Sequence, residues 1–371
     1  MSASPTSPPH PDTPNAVVWA DSQRENDFEL WFASVQTAHR LDRSSVHLAS
    51  ADASFRRYLR AEGALNGVPC SLIIMDAPPD KENCQPFVHV AGLLHSAGLK
   101  APQVLAWDAA RGFMLLTDLG SKTMMQVIDP SAAPPLDRYL LAVDALVQWQ
   151  LASQPGVLPP YDEAQLRREL NLFPDWYITQ HRHVTLDQDQ RKVLDDAFAR
   201  IIQNNLAWPS VYVHRDFMPR NLMVNHVAPA GSADGRLGVL DFQDAVYGPI
   251  TYDIASLMRD AFLSWEEDFC LDVTIRYWQK ARKAGLPVGD DFGDFYKGVE
   301  WMGLQRHLKV AGIFARLTLR DGKPQYLADT PRFIGYMRAT CGRYMELKPL
   351  LRLIEKIEGI ALPPVFAFGR S

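Results

Sequence analysis

The sequence has few cysteines and no strong excess of charge of either sign. Its 371 residues include Cys70, Cys84, Cys270 and Cys341, and these form no CxxC pair. Cysteines this sparse exclude a disulfide framework and favour reduced thiols in a cytosolic protein. The net charge of -5 gives no electrostatic feature typical of binding to nucleic acid or to an anionic membrane.

Long apolar runs and internal repeats are also missing. No apolar stretch approaches the roughly 18 residues of a membrane helix, and no repeat has solenoid or propeller spacing. The Pro- and Ser-rich start, "MSASPTSPPHPDTP", lacks the basic and apolar regions of a signal peptide, so we expect a disordered leader over 1–23. We therefore predict a cytoplasmic protein without nucleic-acid, membrane or obligate protein partners.

The hydrophobic fraction of 47% is enough for a large core, and the length predicts two or three structural units. A helix over 24–41 precedes three short β-rich runs between 45 and 77, with a tight turn at Asn66 and Gly67. A proline-started helix ending near Gly98 and two further strands follow. The first lobe, 24–119, is thus predicted as β-β-β-α-β-β after its leading helix.

Helical patterns dominate the rest of the chain, 120–371. Amphipathic periodicity predicts helices over 136–150 and 188–205, and a third over 161–178 that breaks at Pro174. Short strands are predicted at 211–213, 222–224 and 237–242, and helices after Tyr252. The expected fold class is α+β, with a small antiparallel lobe followed by a larger, mostly helical lobe.

The stretch "VYVHRDFMPRNLMV" carries the first chemical signal. His214, Asp216 and Asn221 have the spacing H-x-D-x-x-x-x-N, which is the catalytic loop of the kinase template. Asp216 suits the orientation and deprotonation of an acceptor hydroxyl, and the neutral amide oxygen of Asn221 suits a magnesium shell. The second magnesium ligand is expected to be Asp241, which follows the apolar strand in "LGVLDFQDA".

A lone HxD is common by chance, and a buried aspartate more often caps a turn than performs catalysis. Here Asp216, Asn221 and Asp241 match the kinase template in their order, their spacing and the strands that flank them. This combination favours a two-lobed, protein-kinase-like fold that uses ATP and Mg²⁺. His214 and Arg215 are expected to be structural, with His214 hydrogen-bonded to backbone near Asp241.

These residues resemble the aminoglycoside phosphotransferase family, the small-molecule branch of the kinase-like fold. Pro219 matches the proline that this family has two residues before its asparagine. The stretch "DFQDAVYGPITYDIASLMRD" is similar to the family's metal-binding segment and the helix that follows it. The resemblance implies that Asp253 anchors the backbone of the catalytic loop.

Within this family the chain is most similar to the bacterial cell-wall sugar kinases, over roughly residues 25 to 345. The resemblance is carried by strings in a fixed order, "ASADASFRRYLR", "IIMDAPPDKENCQPF", "RGFMLLTDLG", "LRRELNLFPDWY", "HRDFMPRNLMV", "LDFQDAVYGPITYD" and "QRHLKVAGIFARL". It implies ATP-dependent phosphorylation of the anomeric (C1) hydroxyl of N-acetylmuramic acid and N-acetylglucosamine in peptidoglycan recycling.

The sequence departs from the kinase template in the residues that are expected to contact the phosphates of ATP. "ASADASF" replaces the glycine-rich loop, and its Ser54 and Phe55 are expected to approach the phosphates, an ordinary polar turn being the alternative. The third strand has Ile74 or Met75 where a lysine is expected. Of the nearby cations, Arg56 and Arg57, the second is favoured to offset the triphosphate charge, although a solvated strand face is equally compatible with the pattern.

Adenine and sugar contacts are predicted less directly. Backbone groups around Leu116 to Asp118 are expected to pair with adenine and Met223 to line its pocket, with a plain core role as the alternative for Met223. The residues predicted to bind the sugar are aromatic, acidic or basic, and for each the alternative is a structural role such as an inter-helix salt bridge. They are Glu169, Trp176, Tyr177, Arg306 and His307, with Lys309 in the same basic cluster on one helix.

Two other functions stay open from the sequence. An antibiotic phosphotransferase would share the catalytic loop, but it would need an acidic pocket for a polycationic drug. A catalytically silent nucleotide-binding regulator would explain the missing strand lysine, whereas the intact Asp216, Asn221 and Asp241 argue for an active enzyme.

Overall fold

The computed structural model describes residues 17–19, 21–51, 55–224 and 235–360. The chain divides into two compact units, the first comprising Met1–Gly92 and Ala101–Gly120, the second Leu93–Lys100 and Ser121–Ser371. The division after Gly120 lies one residue from the predicted boundary at 119/120. The assignment of Leu93–Lys100 to the second unit was not predicted. It follows from hydrogen bonds of this segment within that unit, such as Val239 N–H to the Lys100 carbonyl at 2.7 Å.

Among its described residues the first unit contains a five-stranded antiparallel sheet in the order β1-β2-β3-β5-β4. Its elements are α1 (Ser22–His39), β1 (His47–Ala51), β2 (Arg57–Leu65), β3 (Val68–Asp76), the first part of α2 (Gln85–Ser96), β4 (Val104–Asp108) and β5 (Phe113–Thr117). The predicted β-β-β-α-β-β order is confirmed. Asn66 and Gly67 join β2 to β3 with φ of 53° and 83°, the left-handed pair that a two-residue hairpin requires.

The apolar face of α1 covers the sheet. Phe28, Trp31 and Phe32 are buried in one cluster with residues of β2, β3 and β5. Trp19 packs on Phe28 with ring centroids 4.7 Å apart, and Val17 contacts the same cluster. The predicted leader over 1–23 is therefore wrong for its last part, because apolar side chains there gain burial on the sheet. Residues 1–16 and 20 lie outside the described residues.

The helix predicted from the proline pair begins later than expected. Lys81 and Glu82 donate their N–H groups to the Pro78 carbonyl at 3.0 and 2.9 Å, which forms turns rather than a helix. The side chain of Asn83 then accepts from Gln85 N–H at 3.0 Å, and α2 starts there.

Helices make up most of the described part of the second unit. They are α3 (Met124–Val127), α4 (Leu136–Leu151), α5 (Glu163–Leu170), α6 (Gln188–Leu206), α7 (Thr251–Met258), α8 (Glu267–Lys283), α9 (Phe292–Leu319), α10 (Thr330–Arg343) and α11 (Lys348–Glu358). No helix among the described residues is both long enough and apolar enough to cross a membrane. The predicted α+β class, with a small antiparallel unit and a mostly helical one, is confirmed.

Within the described residues, two antiparallel strand pairs interrupt these helices. β6 (Ser210–Val213) pairs with β9 (Val246–Pro249), and β7 (Leu222–Met223) pairs with β8 (Gly238–Val239). The sequence did not predict β9. The predicted break next to Pro174 is confirmed: α5 ends at Leu170, and a separate π-helix, Phe173–His181, begins with this proline in its first turn, where no donor is needed.

The longest helix, α9, runs through the second unit with most of its side chains buried. A Cβ at Gly312 would lie 2.3 Å from the Leu172 carbonyl oxygen, so only glycine lets α9 pack this closely on that segment.

We predict that Asp76→Ala destabilises the protein by about 3 kcal/mol, because Asp76 is buried and holds two arginines. Its carboxylate oxygens accept from Arg24 and Arg57, each with a shortest contact of 2.5 Å. Urea unfolding measures the change.

The matched control is Asp196→Ala, which removes an exposed pair with Lys192 and should cost less than about 0.5 kcal/mol. Equal losses from the two variants would contradict a structural role for Asp76.

Candidate active site

The predicted catalytic loop, residues 214 to 221, is held between buried strands. β6 ends at Val213, a short 3₁₀ turn covers Pro219–Asn221, and β7 follows directly. Val213 and Leu222 are fully buried, so apolar burial on both sides fixes where the loop begins and ends. Leu240 N–H donates to the Asn221 carbonyl at 2.9 Å, which holds the start of the Asp241 segment beside the loop.

A buried carboxylate anchors the start of this loop. Asp253 of α7 accepts from the N–H groups of His214 at 2.7 Å and Arg215 at 3.0 Å. The His214 ring donates from Nε2 to the Leu240 carbonyl at 2.9 Å. Both contacts were predicted from the sequence, and both are confirmed. Burial raises the pKa of Asp253 to about 6, although His214 and the two N–H groups act in the opposite direction.

Asn221 and Asp241 lie together at the end of the loop. The Asn221 amide nitrogen donates to the Asp216 carbonyl at 2.9 Å and lies 3.3 Å from Asp241 Oδ2. This leaves the amide oxygen of Asn221 for a metal ion. Asp241 has a left-handed backbone, with φ of 61°, and its carboxylate is oriented by a 2.9 Å hydrogen bond from the Gln243 amide.

This pair fits magnesium better than a transition metal. Among the described residues, no group of three or more His, Cys, Asp or Glu side chains could hold a metal ion. Magnesium is usually bound through one or two carboxylates together with substrate phosphates, and it prefers oxygen donors. The oxygens of Asn221 and Asp241 match this pattern.

Asp216 lies among cations but keeps 43% of its side-chain surface exposed. The guanidinium of Arg306 is 3.8 Å from its carboxylate. Burial alone would raise the pKa of Asp216, but Arg306, Lys309 and Arg215 outweigh burial and lower it. Asp216 is therefore ionised at neutral pH.

Glu169 lies at the centre of a buried polar cluster. Its carboxylate accepts hydrogen bonds from Tyr161 at 2.5 Å, Gln305 at 3.1 Å, Lys309 at 3.1 Å and Arg215 at 2.5 Å. Burial would raise the pKa of Glu169, but Lys309 and Arg215 lower it to about 2. With four donors around it, the carboxylate supports the catalytic loop. Its predicted contact with the sugar stays a prediction.

The other predicted sugar residues are not all brought to the loop. Tyr177 is buried, stacks on Phe173 and donates to Glu358 of α11 at 2.9 Å, whereas Trp176 is half-buried. His307 is buried, donates to the Arg259 carbonyl at 3.1 Å and stacks on Tyr336.

Burial lowers the pKa of His307 to about 3, so its ring is neutral at pH 7. It cannot act there as a cation for a carboxylate, contrary to its predicted place in a basic cluster. Arg306 does reach the loop, as described above.

In the first unit, the residues predicted to bind nucleotide have varied surroundings. The Arg57 guanidinium is engaged by Asp76 and by the Val18 carbonyl, and Asp118 accepts from Arg60 at 2.6 Å. Leu116 is buried in β5, and Phe55 is exposed, with its N–H bonded to Glu82 at 3.0 Å. Ser54 lies outside the described residues. In the second unit, Met223 is buried in β7 and bridges to Thr123.

The sequence missed several residues that support this site. Gln243 replaces the glycine of the kinase Asp-Phe-Gly string, and its contact with Asp241 could have been expected from that departure. The contact of Arg306 with the loop had no local signal, because the two lie about ninety positions apart.

A family model described as the phosphotransferase enzyme family matches residues 45–291. The N-acetylmuramate/N-acetylglucosamine kinase of Neisseria meningitidis is 45% identical over 339 residues, covering 91% of this chain and 97% of that protein. The enzyme of the same name from Pseudomonas aeruginosa is 48% identical over 309 residues, covering 83% of this chain and 87% of its own.

Solved structures of low identity share the fold. The ADP-bound aminoglycoside phosphotransferase APH(2'')-Ib aligns with a TM-score of 0.54 and 12% identity, over 84% of this chain and 97% of its own. The family model and the two relatives define a phosphotransferase of the kinase class. The chain belongs to the phosphotransferase enzyme family, as its sequence motifs predicted.

We predict that His307 makes the protein less stable in mild acid. Its pKa is about 3 in the folded state and about 6.5 when unfolded, so between these two pH values the unfolded chain takes up the proton and the folded chain does not. Stability is therefore full above pH 6.5, falls as the pH drops, and at pH 5 is lower by about 2 kcal/mol.

His307→Gln removes this titration, so unfolding measured at pH 7 and pH 5 should differ less for the variant than for the wild type. The same acid dependence in both proteins would show that other groups account for it.

Proposed function

We propose that this enzyme transfers the γ-phosphoryl group of ATP to the anomeric (C1) hydroxyl of N-acetylmuramic acid and N-acetylglucosamine. The product is a sugar 1-phosphate, and the cellular role is peptidoglycan recycling. The observation that carries phosphoryl transfer is the geometry of one loop. Asn221, a candidate metal ligand, bonds the main chain of the candidate base, Asp216, and lies 3.3 Å from Asp241.

In the proposed reaction, the sugar hydroxyl oxygen forms a bond to the γ-phosphorus while the bond from that phosphorus to the ADP oxygen breaks. Asp216 orients the hydroxyl and accepts its proton. Because its pKa is lowered, Asp216 is a weak base. Proton transfer is then late, and the main contribution of Asp216 is to hold the acceptor oxygen in line.

Magnesium fits the pair formed by Asn221 and Asp241. When bound there with the nucleotide, it would neutralise charge on the phosphate oxygens. Gln243 holds one carboxylate oxygen of Asp241 at 2.9 Å, so the direction of this ligand is set by the protein.

An amino sugar suits the charges around Asp216. The cations near it, Arg215, Arg306 and Lys309, favour a neutral or anionic acceptor over a drug that carries several ammonium groups. N-acetylglucosamine is neutral, and N-acetylmuramic acid carries one carboxylate. The names of the relatives from Neisseria meningitidis and Pseudomonas aeruginosa support the same two acceptors. The choice of the anomeric hydroxyl rests on the resemblance of the sequence to the cell-wall sugar kinases.

The use of ATP has support in the ADP-bound enzyme of similar fold. The phosphate charge needs a cation in place of the missing strand lysine. The contacts of Arg57 with Asp76 and Val18 make it a structural group, so we propose Arg56. Its guanidinium lies 4.0 Å from Glu82, just before α2. This pair resembles the Lys–Glu pair of the kinase template, in which the glutamate belongs to the corresponding helix.

Phosphorus NMR tests the proposed reaction. The protein is incubated with ATP, magnesium and, separately, N-acetylmuramic acid, N-acetylglucosamine or kanamycin. We expect a sugar 1-phosphate signal with both sugars, and Asp216→Asn should lower the rate by about 100-fold or more.

Three other results would contradict the proposal, each in a different way. Product from kanamycin alone would identify an antibiotic phosphotransferase. A product phosphorylated at another hydroxyl would reject the anomeric assignment. Nucleotide binding without any product would favour the silent regulator.

We predict that Arg56→Met raises the KM for ATP by about 10-fold, since a charge-assisted contact to phosphate is lost. The KM for the sugar should not change. Steady-state kinetics with ATP varied measures the effect.

Arg57→Met is the comparison variant, and its main effect should be lower stability because Asp76 loses a partner. A higher KM for ATP in Arg57→Met, with Arg56→Met like the wild type, would reverse the assignment.

A further inference from the structure

The residue before the proposed base is held in an unusual backbone conformation. Arg215 has φ of 77°, in the left-handed region that side-chain-bearing residues rarely adopt. Such a conformation persists only where surrounding contacts impose it. Because Arg215 leads directly into Asp216, the contacts that hold Arg215 also set the direction of the Asp216 side chain.

Contacts hold the main chain of Arg215 on both sides. Its N–H donates to Asp253 at 3.0 Å. Its carbonyl accepts from Nη1 of Arg306, and from the Ser256 hydroxyl at a longer 3.5 Å. The strong contact on the carbonyl side therefore comes from Arg306 of α9, a helix distant in sequence.

The same guanidinium also reaches the next residue. Nη2 of Arg306 lies 3.8 Å from Oδ1 of Asp216, so one side chain contacts the Arg215 carbonyl and the Asp216 carboxylate together. Arg306 is only 4% exposed, and its guanidinium packs over the buried ring of Tyr252 at 4.9 Å. Burial and this cation–π contact restrict the orientation of the guanidinium.

A second connection joins α9 to the loop. Lys309 and Gln305 hold the Glu169 carboxylate, which in turn accepts from the Arg215 side chain at 2.5 Å. The carbonyl and the side chain of Arg215 are thus both held by residues on or bound to α9, and its N–H by Asp253 of α7.

We propose that Arg306 is a positioning residue of the phosphotransfer reaction, which holds the Arg215 carbonyl and the Asp216 carboxylate so that Asp216 faces the acceptor hydroxyl. The inference rests on the proposed role of Asp216. It differs from the sequence-based prediction for Arg306, which was contact with the lactyl carboxylate of muramic acid.

The two roles make different kinetic predictions, because only N-acetylmuramic acid has the lactyl carboxylate. As a positioning residue, Arg306→Met lowers kcat about 100-fold, equally with both sugars, and leaves both KM values nearly unchanged. Arg306→Lys keeps the charge but cannot make both contacts, so its kcat falls between those of the wild type and Arg306→Met. A KM raised for N-acetylmuramic acid alone would overturn the proposal in favour of direct binding.

A double-mutant cycle separates positioning from general damage. If Arg306 acts through Asp216, adding Arg306→Met to Asp216→Asn lowers the residual rate very little. A further loss as large as in the wild-type background would overturn the proposal. Arg276→Met is the matched control, since Arg276 is exposed on α8 and pairs with Asp272 one turn away in the same helix, so wild-type kinetics are expected.

Folding and the proposed function are checked separately. Circular dichroism and urea unfolding establish that each variant is folded; if Arg306→Met is not, Arg306→Lys carries the same comparison of the two sugars. Full activity in Asp216→Asn would overturn the proposed function together with this inference. Loss of activity in Asp216→Asn, with wild-type kcat in both Arg306 variants, would overturn the inference alone.

Discussion

The site depends on the buried carboxylate of Asp253. It accepts the N–H groups of His214 and Arg215, two main-chain donors that would otherwise be buried without partners at the end of β6. Because these two donors are paired, the chain can turn out of β6 at Arg215, whose backbone is in the left-handed region, and place Asp216 directly after it. Burial raises the pKa of Asp253 to about 6, because the charged carboxylate is destabilised away from water. Its two main-chain hydrogen bonds oppose this effect and fix the loop.

Around this loop, cationic and anionic side chains lie next to one another. Glu169 balances Arg215 and Lys309, and Arg306 faces Asp216. Unpaired, the buried Glu169, Arg306 and Lys309 would each cost several kcal/mol by desolvation. Together they form a network in which the position of one group constrains the others, which is what a reaction that depends on alignment requires. In the proposed function, the same cations favour neutral or anionic acceptors next to Asp216.

The third strand of the first unit lacks the phosphate-binding lysine of the kinase template, and the two arginines near it differ in their contacts. The third strand ends at Asp76, which binds Arg24 and Arg57 and so joins α1 to the sheet. Arg57, which the sequence offers as a phosphate ligand, is thereby paired with Asp76, and its contact with phosphate stays a prediction. The neighbouring Arg56 lies beside Glu82 instead, because adjacent residues of an extended chain point to opposite sides.

The sequence by itself determined the α+β class and the strand order of the first unit along the chain, and it predicted the residues of a catalytic loop, whose role stays a prediction. These follow from local signals, namely the period of apolar residues, the Asn66–Gly67 turn and the fixed spacing of Asp216, Asn221 and Asp241. It also indicated correctly the anchoring contacts of Asp253 and His214, because the family resemblance and the kinase template specify them.

Tertiary structure alone decided the rest. It showed that Trp19 packs on Phe28 rather than belonging to a disordered leader, that His307 is a neutral core residue, and that Arg306 contacts the catalytic loop. The physical reason is shared by all three. The burial of an aromatic or charged side chain, and the partner that it contacts, depend on residues far away in the chain. A local sequence pattern does not contain information on such long-range contacts.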